Sequence, residues 1–294
     1  MLAKKNLVAA AALLALVGAA QAQVKVYGSV EASFGSFEAA HATGASARTT
    51  KVSSGNMMTS FIGFSGSEDL GGGLKAEFAL ESFLATDTGE AGGANTANKA
   101  GGFWSRGSFV ALTGGFGKVA LGQYDNPLFT SGYTYNPFGS SMAFSPTMRH
   151  FYYNQASVGQ SVSGASFDTG FVNSITYETT NMSGFTGVVQ FSPKESSVAG
   201  KGNSYAVSGT YSAGPFSASL TYVKSGIATA YDADEKVVGF GTSYDFGMLK
   251  AFGQYTTVKQ TSGTANKDAI YQLGVSVPVT DKGAILASYG RVQN

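Results

Sequence analysis

Phe216-Ser217-Ala218-Ser219-Leu220-Thr221-Tyr222-Val223 sets Phe216, Ala218, Leu220 and Tyr222 against Ser217, Ser219, Thr221 and Val223. A period of two is the repeat of an extended strand, whose successive side chains point to opposite faces. The same alternation recurs on both sides of it. Val24, Val26, Gly28, Val30, Ala32 and Phe34 form one such series; Leu74, Ala76, Phe78 and Leu80 form another. Phe185, Gly187, Val189 and Phe191 repeat it, as do Tyr271, Leu273, Val275 and Val277. Read outward in this way, the chain predicts strands near 24–34, 57–68, 73–84, 103–113, 117–125, 170–179, 185–192, 203–212, 216–224, 235–245, 248–258, 268–278 and 283–293, thirteen in all.

Composition agrees with an all-β reading. The 294 residues include 40 glycines, and only 13% are charged, about half the usual share. Serine, threonine, tyrosine and phenylalanine fill the space, which disfavours helices. The absence of cysteine excludes a disulfide scaffold, a thiol nucleophile and thiolate metal ligation. His41 and His150 are too few and too far apart for an ordinary histidine metal site. The formal charge of +1 offers no footprint for nucleic acid.

Residues 1–22 read as a secretory signal peptide. Lys4 and Lys5 form its basic start, residues 7–17 its apolar core, and Ala20-Gln21-Ala22 its cleavage site. The apolar core is shorter than the roughly 20 residues a spanning helix needs. Without Lys4 and Lys5 the balance shifts by two, from +1 to about −1.

The connections differ by end. Short glycine-rich turns are expected at 69–73, 113–117, 181–184, 213–215, 246–247 and 280–283. Long polar loops are expected at 35–56, 85–102, 126–168, 193–202, 225–234 and 259–267. Alternation alone also fits a soluble sandwich or soluble barrel. The turn asymmetry and the export signal favour a transmembrane antiparallel up-and-down β-barrel, because strands in lipid must pair on both edges. Residues 126–168 form the longest connection and hold Pro127, Pro137 and Pro146; a loop of that length is usually functional.

Little points to chemistry. Gly71-Gly72-Gly73-Leu74-Lys75 lacks the spacing of a phosphate loop. Serine hydrolysis needs a positioned base, and both histidines fall in expected loops. Glu77 and Glu81 share a strand face with Lys75, which reads as a solvated lumen rather than a glycosidase pair. No enzyme activity, cofactor or metal is expected.

Several segments resemble one family. Tyr27-Gly28-Ser29-Val30-Glu31, Gly66-Ser67-Glu68-Asp69-Leu70-Gly71-Gly72-Gly73-Leu74-Lys75-Ala76 and Gly115-Phe116-Gly117-Lys118-Val119-Ala120-Leu121-Gly122 are similar, in order, to the early hairpins of general porins of Gram-negative β-proteobacteria. Asn173-Ser174-Ile175-Thr176-Tyr177, Ser243-Tyr244-Asp245-Phe246-Gly247, Leu273-Gly274-Val275-Ser276-Val277-Pro278 and Ala287-Ser288-Tyr289-Gly290 resemble later ones. The resemblance implies a homotrimer of 16-stranded outer-membrane barrels. It implies residues 23–294 as the barrel, with 126–168 as a third loop folded into the pore and Pro137, Phe138 and Gly139 at its tip. It also implies lipid and lipopolysaccharide around the barrel, assembly by the barrel machinery, and small hydrophilic solutes and ions as cargo.

Three departures accompany the resemblance. Phe61 and Gln123 stand where members commonly carry arginine, so Arg106 alone keeps the expected basic wall position. Between Asp125 and Asp168 the loop has no carboxylate, and Arg149 is its only charge. The chain ends at Val292-Gln293-Asn294 where members continue for about three more strands to a terminal aromatic residue, which with the odd strand count predicts a form shortened by about 40–60 residues.

The expected lining of the pore and its constriction is therefore Arg106, Lys75, Glu77, Glu81, Phe61, Gln123, Asp125 and Arg149. An inward arginine would attract anions or pair with an acid such as Glu77, and weak ion selectivity is expected. The expected function is passive diffusion through a water-filled pore. The alternatives are a non-channel barrel serving as adhesin or anchor, and a substrate-specific channel. The latter would use Phe129, Tyr133, Tyr135, Phe138, Phe144, Phe151, Tyr152 and Tyr153 as a stacking track.

Overall fold

A computed structural model describes residues 24–39, 47–91, 102–152, 169–194, 202–226, 235–260 and 267–293. The expected signal peptide at 1–22 lies outside the described residues, as do 153–168 at the end of the longest connection.

The strands are β1 (Lys25–Ser29), β2 (Ser33–Ala39), β3 (Ala47–Ser53), β4 (Phe61–Gly71), β5 (Leu74–Ala85), β6 (Glu90–Ala91), β7 (Gly107–Gly114), β8 (Gly117–Asp125), β9 (Gly170–Glu178), β10 (Phe185–Ser192), β11 (Ser204–Ala213), β12 (Phe216–Ser225), β13 (Glu235–Asp245), β14 (Lys250–Gln260), β15 (Lys267–Thr280) and β16 (Gly283–Gln293). One sheet runs in the order β1-β4-β5-β7-β8-β9-β10-β11-β12-β13-β14-β15-β16, with β6 paired beside it to β5. Its pairings are antiparallel throughout, from β1 with β4 to β15 with β16. That path is an up-and-down meander. Among the described residues its two end strands, β1 and β16, are not paired with each other.

The sheet is inverted relative to a water-soluble protein. Leu273 is 68% exposed while its chain neighbour Gln272 is 1% exposed. Val26 and Leu220 are likewise exposed, whereas Thr221, Ser219, Thr256 and Gln190 are buried. The strands thus turn their apolar faces outward and their polar faces inward. Such a surface is stable only against hydrocarbon, and hydrocarbon in turn demands backbone pairing between strands. Aromatic pairs such as Phe185 with Tyr211 and Tyr244 with Phe246 cluster near the short turns.

The short turns form where expected. Gly71, Gly72 and Gly73 join β4 to β5 with φ of 83°, 62° and 81°, a backbone that glycine adopts without steric cost. This use accounts for the glycine run.

Besides the two-residue β6 within 85–102, two expected loops contain regular structure. Within 35–56, β2 and β3 pair over seven residue pairs as a separate ribbon. Ser33-Phe34-Gly35-Ser36-Phe37 continues the alternation, and β-branched Thr49, Thr50 and Val52 answer it, so the strands extend beyond the main sheet. The expected strand 24–34 is accordingly broken into β1 and the start of β2. Within 126–168 lie helices α1 (Pro127–Thr134) and α2 (Pro146–Tyr152). Asn126 caps α1, its side-chain oxygen accepting from the Leu128 N–H at 3.0 Å, and Pro127 fills the first turn. The Ser145 hydroxyl accepts from the Met148 N–H at 3.3 Å and starts α2. At eight residues, α1 slightly exceeds two turns.

Candidate functional site

The pairing register places one row of side chains across the inner face. Tyr27 faces Gly63, Gly63 faces Glu81, and Glu81 faces Gly107. The glycines leave room beside the larger groups: the Tyr27 ring lies over Gly63, and its hydroxyl donates to Glu81 Oε1 at 2.5 Å. Arg106 precedes β7, and its guanidinium forms an ion pair with Glu81 Oε2. The same guanidinium stacks on the Phe61 ring, 4.3 Å from the centroid. The Arg106 backbone N–H donates to the Glu81 carbonyl at 3.0 Å, so the pair is held at both main chain and side chain.

Farther along the same wall, Lys118 Nζ lies 2.8 Å from Glu77. Lys118 is also the ladder neighbour of Glu178 on β9. Glu178 and Tyr124 face the same cavity. Glu81, Arg106, Asp125 and Glu178 line one cavity of about 460 Å³ together with Tyr124 and Tyr133.

The opposite wall carries α1 and the segment after it. Gln254 Nε2 donates to the carbonyls of Ser131 and Gly132, at 3.3 and 2.9 Å. Asn126 Nδ2 donates to Gln190 Oε1 at 2.9 Å, and the Tyr135 hydroxyl bonds to Ser217 Oγ at 2.8 Å. The Thr147 N–H donates to Gln272 Oε1 at 2.8 Å. Inward glycines form the seat: a methyl group at Gly241 would overlap the Tyr135 ring, one at Gly274 would meet Pro137, and one at Gly290 would overlap Pro146. From this seat the segment reaches back, and the Ser141 hydroxyl donates to the Asn56 carbonyl at 2.7 Å, just before β4. Burial pushes the Tyr135 phenol above its ordinary pKa; burial and then the charge of Asp125 do the same to Tyr133.

The residues singled out in the sequence divide into groups. Arg106, Glu81, Gln123 and Asp125 line the cavity. Gln123 does more, because its amide donates to the carbonyls of Ser105 and Arg106 at 3.1 and 3.0 Å and so holds the arginine's backbone. Phe61 is the platform under Arg106, and Glu77 is matched to Lys118. Lys75 does not line the cavity; it is exposed near the short turn, opposite Asp69 and Thr113. Arg149 is exposed on α2, which packs against β15 and β16, and it does not line the cavity either. Pro137 and Phe138 lie between α1 and α2, with Pro137 against β15. Of the expected aromatic track, Phe129 and Tyr135 are buried against the wall, and Tyr153 lies outside the described residues. Lys118, Glu178, Tyr27 and Tyr124 are not among the expected lining residues. Strand parity alone marks Glu178, two residues beyond inward Thr176, as a lumen group.

An outward apolar sheet, an inward polar face and a loop packed inside define a transmembrane β-barrel of the channel type. The sequence matches the Gram-negative porin family over residues 8–294, and the chain belongs to that family. It is 34% identical to outer membrane porin protein 32 of Delftia acidovorans, covering 97% of this chain and 79% of the relative. It is 30% identical to the major outer membrane protein P.IB of Neisseria gonorrhoeae, covering 96% of this chain and 72% of the relative. The fold matches the anion-selective porin from Comamonas acidovorans with a TM-score of 0.72 and 28% identity, over 92% of this chain and 78% of that one. The protein is therefore an outer-membrane channel for passive diffusion, in a family and fold of non-enzymatic channels.

Proposed function

We propose that small hydrophilic solutes and ions cross this barrel through the passage between the charged wall and the seated loop, residues 127–152. The observation that carries this reading is the cavity of about 460 Å³, lined by Glu81 and Arg106 on one side and by loop residues Tyr133 and Tyr135 on the other. The Arg106–Glu81 pair, held by Tyr27, Phe61 and Gln123, forms the rigid side of the constriction. A pore with such a lining discriminates by width and charge rather than by a chemical step. The barrels assemble as a homotrimer in lipid and lipopolysaccharide after delivery by the barrel assembly machinery, as the resemblance to general porins implies.

Planar-bilayer recording of the purified, folded protein tests the reading. Discrete conductance steps that scale with salt concentration are expected. A barrel that shows heat-modifiable migration yet conducts nothing would instead support an adhesin or anchor. Native mass spectrometry in detergent reads the oligomer, with a trimer expected.

A further inference from the structure

We propose that a row of lysines on the outer face of the barrel binds the phosphates of lipid A, the glycolipid of the outer leaflet; the proposal rests on the placement of this barrel in lipopolysaccharide given above. The pairing register sets Lys224 of β12 opposite Lys236 of β13, Lys236 opposite Lys259 of β14, and Lys259 opposite Lys267 of β15. One unbroken row of like charge thus crosses four adjacent strands, a span of about 15 Å at the usual strand spacing. Parity turns all four away from the lumen, because their chain neighbours Val223, Glu235, Val258 and Asp268 are buried on the inner face. Lys236, Lys259 and Lys267 are exposed, and Lys224 is half-buried. Lys224 takes part in a further interaction, so Lys236, Lys259 and Lys267 carry the argument. Like charges directly opposite one another on paired strands are destabilising. Such contacts in succession become favourable once an anion lies between the lysine heads.

Position and surroundings name the anion. Lys224 and Lys236 flank the long connection between β12 and β13, and Lys259 and Lys267 flank the one between β14 and β15. In outer-membrane barrels the long connections face outward and the short turns face the periplasm. The row therefore stands at the outer leaflet. Directly beneath it the apolar belt begins. The next outward row toward the short turns is Tyr222, Val238, Thr257 and Ala269, and the one after it is Leu220, Phe240, Tyr255 and Tyr271. The Tyr255 and Tyr271 rings lie 4.8 Å apart. Tyrosines mark the headgroup level of a membrane, and lysine stems run along apolar surface to place their heads above it. Charge above an apolar belt fits a ligand that carries phosphates above acyl chains. No carboxylate competes for the lysines on this face among the described residues of β12 to β15. Glu235 and Asp268 turn inward, and Asp245 stands at a short turn, at the other end of its strand.

The probe is diphosphoryl lipid A, added to the folded protein in detergent and read by native mass spectrometry, with dephosphorylated lipid A and phosphatidylglycerol as comparisons. The unmodified barrel should retain diphosphoryl lipid A about tenfold better than the dephosphorylated form, and less so as salt rises. Lys236→Gln with Lys259→Gln and Lys267→Gln should lower that retention on the order of a hundredfold. The same triple variant should keep its single-channel conductance, since none of these lysines lines the cavity. Thermal denaturation supplies a readout that changes sign. Lys236→Gln removes two like-charge contacts, so without lipid its midpoint should be no lower than that of the unmodified barrel. With diphosphoryl lipid A the unmodified barrel should gain more than the variant. Should the triple variant fail to fold, the single variant and the lipid comparison decide the matter. Equal retention of the two forms of lipid A, retention unmoved by the folded triple variant, a lipid-free midpoint lowered by Lys236→Gln, or phosphatidylglycerol held as well as lipid A overturns the proposal and leaves the porin reading intact. A folded barrel that holds lipid A through these lysines yet conducts nothing overturns the channel reading and leaves the proposal standing.

Discussion

The two walls of the lumen are built on different principles. The wall of β4, β5, β7, β8 and β9 is electrostatic: Glu81 with Arg106 and Glu77 with Lys118 lie directly on it. The wall from β11 to β16 is steric: serine, threonine, glutamine and glycine hold α1 and α2 through hydrogen bonds and close contact. The difference teaches that one barrel can divide its tasks. On the proposed reading, charge on the first wall sets which ions are favoured, while the seat on the second sets how much of the bore remains open.

The comparison breaks if a change on one wall produces the other wall's effect. The largest expected effect follows Arg106→Ala, which leaves Glu81 facing the cavity without its cation. Loss of one partner of a largely buried pair should lower stability by about 3 kcal/mol, read from the denaturation midpoint of the folded barrel. The same variant should shift the reversal potential toward cations with little change in conductance at high salt. Next comes Gly241→Val on the steric wall. The branched side chain collides with the Tyr135 ring, and overpacking of this kind costs about 1–3 kcal/mol. Its expected signature is a larger or noisier single-channel conductance as α1 lifts, with the ion preference kept. Gln254→Ala is milder. It removes the donor to the Ser131 and Gly132 carbonyls, worth about 1 kcal/mol, and should raise current noise alone.

The smallest effect is a pH dependence confined to the steric wall. Burial raises the folded-state pKa of Tyr135 above its unfolded value near 10. The protonated phenol is thus favoured by folding, and its contribution is fully present below pH 10. It is lost as pH rises from there toward the folded pKa, so α1 should loosen in alkali. Conductance noise should increase in step with tyrosinate absorbance, and Tyr135→Phe should remove the dependence.

The strands were readable in the sequence because each of their faces meets a different solvent. Leu220 beside Thr221 and Leu273 beside Gln272 write that division at every second residue. Parity in a single strand does not reveal what stands across from it. Parity turns Glu178 inward, but its neighbours Lys118 and Val188 follow only from the register, as the Arg106–Glu81 pair follows only from the register of β5 with β7. The ribbon of β2 and β3 was hidden because Ser33, Gly35 and Ser36 resemble turn chemistry. Asn126-Pro127 and Ser145-Pro146 are start signals for α1 and α2, but the helices they open are too short to show a period. Glycine was the most misleading residue. Gly71 to Gly73 serve a turn, whereas Gly241, Gly274 and Gly290 lie within strands and provide space.

That space has a genetic consequence. One base change converts a glycine codon to alanine or valine, and others reach serine or an acidic residue. At Gly241, Gly274 and Gly290 each such change inserts atoms beneath the seated loop. A population under pressure to admit more or less solute therefore has several one-step mutations available that alter permeability by degrees. None of them needs to touch the paired charges on the other wall, so uptake rate and ionic preference can be inherited and selected separately.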